Sequence, residues 1–211
     1  MKITKFEHAF LQIELSAQQL LIDPGVYSPT LPTLENVVGV VLTHLHDDHS
    51  YLPHIAAIKQ QFPDARIFGP AEVATKLGDI DCEVVMHGSR IEVGEFALDF
   101  FGDLHQEIHR SIPLVQNVGV LVNSKLYYPG DSYTQCEYPF ELLACPSAAP
   151  WMKISDLIDY LEAVKPKRAF ATHNAILSEH GHALQNNRIK EIVTKHGGEF
   201  SYLLVGESIT I

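Results

Sequence analysis

Seven residues, Val37-Val38-Gly39-Val40-Val41-Leu42-Thr43, carry no charge and run straight into His44-Leu45-His46-Asp47-Asp48-His49. The β-branched content and the length of the run suit a strand buried on both faces. Such a strand needs cover above and below, so the rest of the chain has to supply it. Phe10 to Leu15 alternates apolar and polar residues, the mark of a half-buried strand. Gln19 to Ile22 is a second strand, closed by Asp23-Pro24-Gly25. Helical spacing of Ile55, Ile58 and Phe62 predicts a helix from Leu52 to Phe62, and Ala71 to Leu77 reads as a shorter one with Pro70 near its first turn.

Strands are then expected at Cys82–Met86, Arg90–Val93, Phe96–Phe101, Val118–Val122, Lys125–Tyr128 and Leu142–Cys145. Ser155 is a suitable N-cap for a helix to Ala163. After a strand at Arg168–Ala171, a helix from Gln185 to His196 stops at Gly197-Gly198, and Phe200–Val205 and Ser208–Ile211 close the chain as strands. This order fits neither strict βαβ alternation nor an all-β sandwich. The economical packing is α/β with mixed sheets: a four-layer αββα sandwich, two β-sheets face to face with helices on both outer faces. No linker divides the 211 residues, so one domain is expected over 1–211, its two pseudo-symmetric halves (about 1–95 and 96–211) meeting near residue 95.

Charge narrows the function classes. Fifteen lysines and arginines against 26 aspartates and glutamates give −11, which repels phosphate backbones and disfavours nucleic acid as a partner. No window approaches about 18 consecutive apolar residues, so no membrane span is expected. Met1-Lys2-Ile3-Thr4-Lys5 leads into no apolar segment, which argues against a signal peptide. Cys82, Cys136 and Cys145 make an odd set with no close pair. Free thiols and a cytoplasmic location follow as expectations. Nothing fixes the oligomeric state, and a homo-oligomer stays open.

The dense chemistry lies at the end of the buried run. Three histidines and Asp48 fall within six residues. Neutral imidazole and carboxylate are ligands for zinc, iron and manganese alike. In an extended turn, His44 and His46 face one way while Asp48 and His49 face a second point nearby. One short segment therefore offers ligands to two adjacent ions. A turn that merely happened to contain histidines would have no reason to set four titratable groups against an apolar strand end.

His44-Leu45-His46-Asp47-Asp48-His49 resembles the HxHxDH motif of the metallo-β-lactamase-fold hydrolases, and the resemblance extends over essentially the whole chain. It implies the αββα sandwich reached above from element order. It implies that Asp23, after the Leu21-Ile22 strand, supports the histidine loop without being a ligand. It places a further ligand after the Phe96–Phe101 strand, where His105 fits and His109 is the rival. Asp131, in Pro129-Gly130-Asp131-Ser132, matches the metal-bridging carboxylate, and His173, in Ala171-Thr172-His173, matches the last ligand. The implied centre holds two divalent ions, zinc first, with manganese or iron as alternatives. His44, His46 and His105 would hold one ion, Asp48, His49 and His173 the other, and Asp131 would bridge them. A metal-bridging hydroxide would be the nucleophile and Asp48 the catalytic proton acceptor or relay.

The lack of an inserted domain or long C-terminal extension, and the bridging Asp131, make the chain similar to the small single-domain branch that includes ascorbate-6-phosphate lactonase. A small-molecule ester, lactone or phosphodiester is the implied substrate. The alternative is a non-hydrolytic metal-binding or ligand-sensing protein on the same fold. Substrate contacts are expected from His109, Arg110, Trp151 and His182, with a loop turn as the plainer reading of His182. His8, before the first long strand, is expected near the site in a supporting role.

Overall fold

A computed structural model describes residues 1–211. Fourteen strands and four helices follow one another as β1 (Lys2–Lys5), β2 (Leu11–Leu15), β3 (Gln18–Ile22), β4 (Val37–Val41), α1 (Leu52–Gln61), β5 (Arg66–Gly69), α2 (Ala71–Leu77), β6 (Glu83–Val84), β7 (Arg90–Val93), β8 (Phe96–Phe101), β9 (Gly119–Val122), β10 (Leu126–Tyr128), β11 (Leu142–Pro146), α3 (Ile154–Val164), β12 (Arg168–Thr172), α4 (Glu179–Lys195), β13 (Glu199–Ser201) and β14 (Ser208–Thr210). They form two seven-stranded sheets, ordered β14-β1-β2-β3-β4-β5-β6 and β13-β12-β11-β10-β9-β8-β7.

Period-two alternation assigns each strand residue to a layer. Leu11, Ile13, Leu20, Ile22, Val41 and Phe68 of the first sheet meet Val120, Val122, Leu126, Tyr128, Leu142 and Phe170 of the second in the central core. The residues between them point outward. Leu21, Val40 and Ile67 pack under Ile55 and Ile58 of α1 and Val73 and Leu77 of α2. Leu121, Tyr127, Leu143 and Ala169 pack under Leu157 and Leu161 of α3 and Ile189 and Val193 of α4. The four layers are therefore those expected from the element order.

The two sheets share one plan. From β14 to β3, and from β7 to β10, neighbours pair antiparallel; from β3 to β6, and from β10 to β13, they pair parallel. A helix crosses over between each of the last three strands of either sheet. Sheet membership changes between β6 and β7, earlier than residue 95, and β14 crosses back from the end of the chain to pair with β1. β3, β4, β8, β10, β11 and β12 therefore deliver their C-terminal ends to one edge of the sandwich, where loops gather.

Three local expectations need correction. α3 starts at Ile154 behind Lys153, which offers no side-chain cap, and Ser155 lies inside the helix with its hydroxyl on Asp156. α4 starts at Glu179, capped by Ser178 Oγ accepting from Gly181 N at 3.3 Å, so His182 sits in a helical first turn and not a loop. Gly181 and the polar Asn186-Asn187 pair mask that start, because neither favours helix on propensity alone. The segment Phe200–Val205 is strand only as far as Ser201.

Candidate metal centre

Asp23 ends β3 with φ 49°, an αL turn that a short polar side chain tolerates. Its carboxylate reaches sideways to the next strand. Oδ1 accepts Thr43 N–H at 2.8 Å, and Oδ2 accepts the Thr43 hydroxyl and His49 Nδ1–H, both at 2.7 Å. Asp23 and His49 are fully buried. The histidine loop is also pressed against the Pro24-Gly25 turn. A Cβ on Gly25 would stand 1.7 Å from the Asp48 carbonyl oxygen, so only glycine fits there.

The second sheet supplies the opposite wall. Asp131 follows β10 through Gly130, at φ 64°, where a Cβ would meet Asn117 Oδ1 at 2.5 Å. Asn117 fastens this turn: its Nδ2 donates to Pro129 O at 3.0 Å and its Oδ1 accepts Asp131 N–H at 3.0 Å. Nothing in the sequence pattern singles out Asn117, whose partners come from another strand end. The Trp151 indole Nε1 donates to Asp131 Oδ2 at 2.8 Å, and its ring stands edge-on to His105 and Tyr133. Trp151 is buried and braces Asp131.

Imidazole tautomers follow from the outward partners. The Thr43 hydroxyl proton is committed to Asp23, so His44 Nδ1–H donates to Thr43 Oγ1 at 3.1 Å. His49 Nδ1–H donates to Asp23. His173 Nδ1–H donates to Ala148 O at 2.6 Å, and His105 Nδ1–H to Gln106 O. All four rings therefore present an Nε2 lone pair inward. There the lone pairs meet other acceptors. His49 Nε2 is 3.3 Å from Asp131 Oδ1; His173 Nε2 and His105 Nε2 are 3.1 and 3.4 Å from Asp131 Oδ2. His49 and His173 point Nε2 at Nε2 across 3.1 Å, and His44 Nε2 faces His46 Nδ1 at the same distance. His105 Nε2 and Asp131 Oδ1 are buried without a hydrogen bond.

Acceptors converging on acceptors call for positive charge between them, a proton or a metal ion, and these donor types suit a divalent metal. Three overlapping groups have ligand atoms within 4.8 Å of one another: His44, His46 and His105; His44, His49 and Asp131; and His8, Asp48, His49 and His173. His8 is the exception in the last group. Its Nδ1 accepts Ala175 N–H at 3.2 Å, so its Nε2 carries the proton and donates to Asp48 Oδ2 at 3.1 Å. It holds Asp48 from a backbone at φ 57°.

Charge follows the same geometry. Burial, the largest influence on His49 and His173, would lower both rings. The Asp131 carboxylate overrides it, raising His49 and lifting His173 to about 9, so without a bound cation each ring takes up a proton at Nε2, in the place a metal ion would fill. Asp131 is held well below the usual carboxylate range because His173 and His49 outweigh its burial. Asp48 is held low against burial by hydrogen bonds with His173 and His8. His44 is pushed down by burial and then by His49. The two aspartates are anionic, and they offset part of the charge of any bound cation.

His109 and Arg110 lie on the exposed loop beyond His105, with the His109 Nδ1 engaged by Ser111 Oγ at 2.7 Å. The structure brings His105 into the cluster and leaves His109 outside it. His109 and Arg110 are both exposed to solvent.

The family described as the beta-lactamase superfamily domain matches residues 2–173. The chain belongs to that family. Across 199 residues it is 32% identical to Protein Rv0786c of Mycobacterium tuberculosis, covering 92% of this chain and 93% of that protein. Hydroxyacylglutathione hydrolase of Edwardsiella ictaluri is 39% identical over 69 residues, 31% of this chain and 27% of the hydrolase. Among solved structures, Igni18, a metallo hydrolase from Ignicoccus hospitalis, superposes with a TM-score of 0.73 at 18% identity, over 99% of this chain and 97% of its own. The metallo-β-lactamase fold protein YhfI of Bacillus subtilis gives 0.73 at 16%, over 99% and 98%. At such identities the structures establish the shared fold alone.

Proposed function

We propose that the chain is a single-domain dinuclear hydrolase of small-molecule lactones, other esters or phosphodiesters, with zinc as the first-choice ion and manganese or iron as alternatives. The observation that carries the reading is the convergence of the His49, His105 and His173 Nε2 atoms on Asp131, with His49 and His173 also beside Asp48. His44, His46 and His105 would hold one ion, and Asp48, His49 and His173 the other, with Asp131 shared. When bound, divalent ions supply Lewis acidity and bring the pKa of coordinated water toward neutrality.

The chain's own residues hold the geometry and move the proton. Asp23 and Thr43 fix His49 and His44 in the tautomers that leave Nε2 free. Trp151 and Asn117 fix Asp131 from side chain and backbone. Asp48 keeps 27% of its side chain exposed to solvent and is the group that would accept or relay the proton of the attacking water. His8 holds Asp48 through Nε2–H and leaves its other oxygen available.

The test is metal analysis of the purified protein followed by hydrolysis of lactones, thioesters, carboxylic esters and phosphodiesters. Two ions per chain, with turnover of one class abolished by chelator and restored by metal, is the expected result. Two ions with no turnover on any class would favour the metal-binding or sensing alternative. A small-molecule substrate and a cytoplasmic location belong to the same proposal.

A further inference from the structure

A cavity of about 280 Å³ abuts the metal centre at His8, Asn174 and Ala175. Lys5 ends β1 on the face that carries Ile3 into the central core, and it is only 2% exposed. Its side chain lines the cavity. Nζ has one acceptor in the protein, Phe6 O at 3.1 Å, although an ammonium carries three N–H groups. His182 lines the cavity from the first turn of α4, and its Nδ1 is buried without any partner. Leu203, Leu204 and Val205, between β13 and β14, form an apolar wall.

Donors left unmet in a buried place are costly, and proteins seldom retain them without a ligand to meet them. Burial alone drags Lys5 from its ordinary value down to about 8, with Glu7 opposing only in part, so the fold bears a penalty to keep this cation inside. Glu7 also lines the cavity, and its negative charge beside the single Lys5 cation works against any ligand carrying two negative charges. That selects a carboxylate over a phosphate dianion. The apolar wall calls for hydrocarbon beside it.

We propose that this cavity binds a carboxylate of the substrate, with Lys5 and His182 as donors, so that the preferred substrate is an ester or lactone bearing a free carboxylate on a short apolar body. The word substrate rests on the hydrolase reading; the binding of a carboxylate does not.

The experiment uses metal-loaded protein titrated with hexanoate and with neutral hexanamide, followed by calorimetry or NMR, in wild type, Lys5→Met and His182→Leu. Hexanoate is expected to bind wild type roughly tenfold or more tightly than hexanamide, and to lose roughly tenfold in either variant. Carboxylate held by the metals alone would be untouched by Lys5→Met, and that outcome overturns the assignment. So does equal binding of amide and acid, or no hexanoate binding at all. If Lys5→Met fails to fold, His182→Leu carries the comparison. A parallel arm compares KM for monomethyl adipate and methyl hexanoate. Hydrolysis of neither, with hexanoate still bound through Lys5, removes the hydrolase reading and leaves the cavity. Equal turnover of both removes the cavity's role and leaves the hydrolase.

Discussion

Asp23→Asn changes one oxygen of a fully buried carboxylate to an amide nitrogen while conserving shape. The carboxylate is an acceptor only, and it faces three donors at 2.7–2.8 Å. The amide has one acceptor and one donor end, so in either orientation a donor meets a donor. With nitrogen toward His49, the ring has to shift its proton to Nε2, and the lone pair aimed at the metal is lost. With nitrogen toward the backbone, Thr43 N–H is left buried and unmet. Each conflict is worth about 1–3 kcal/mol. In the first orientation a metal must reverse the tautomer. Affinity then falls by about 10–100-fold, the usual effect of removing the outer partner of a ligating histidine. In the second orientation the same energy is lost from fold stability. Urea unfolding of chelated protein reads one term, and metal titration against a chromophoric chelator reads the other. The two losses together should reach about 1–3 kcal/mol. A variant with unchanged urea midpoint and unchanged metal affinity would refute the tautomer argument.

Trp151 is the only tryptophan, so its emission should change on metal removal and return on reloading. Trp151→Phe, lacking the donor to Asp131, should weaken metal binding by about 3–30-fold in the same titration; unchanged affinity would make the hydrogen bond incidental. Lys5→Met should stabilise the fold at pH 7 by on the order of 3 kcal/mol. Because the folded pKa of Lys5 is about 8 and the ordinary value is 10.5, the unfolded chain binds more protons between these limits, and the penalty lifts as pH rises through that window. The gain from Lys5→Met should therefore shrink between about pH 8 and 10.5, and a constant difference across denaturation curves would contradict it. His105→Ala should lose one ion by metal analysis, whereas His109→Ala should retain both; the reverse pattern would exchange their roles. Asp48→Asn should lower turnover by about 100-fold or more with little change in unfolding midpoint, and full activity would remove its proton role.

Much of this protein is legible in order along the chain. Alternation in Phe10–Leu15 and the unbroken apolar run at Val37–Leu42 mark one-faced and two-faced burial, because strand periodicity is local. The histidine motif is legible for the same reason: its ligands are near neighbours, and a strand end fixes their directions. Asp131 and His173 are placed by the family resemblance, each at a strand end. β5 went unmarked, since Arg66–Gly69 is short and stands between two helices. The early start of α4 was hidden by residues of low helical propensity.

The sequence by itself determined which side chains were available to bind metal and roughly where the sandwich layers run. Only the tertiary structure decided how those side chains are held. His8 meets Ala175 across 167 residues, Trp151 meets Asp131 across 20, and Lys5 is sealed in by a segment near the opposite end of the chain. Those partners share no periodicity with one another. They meet because parallel strands from two sheets end at one edge, and hydrogen-bond satisfaction there is settled by position in space.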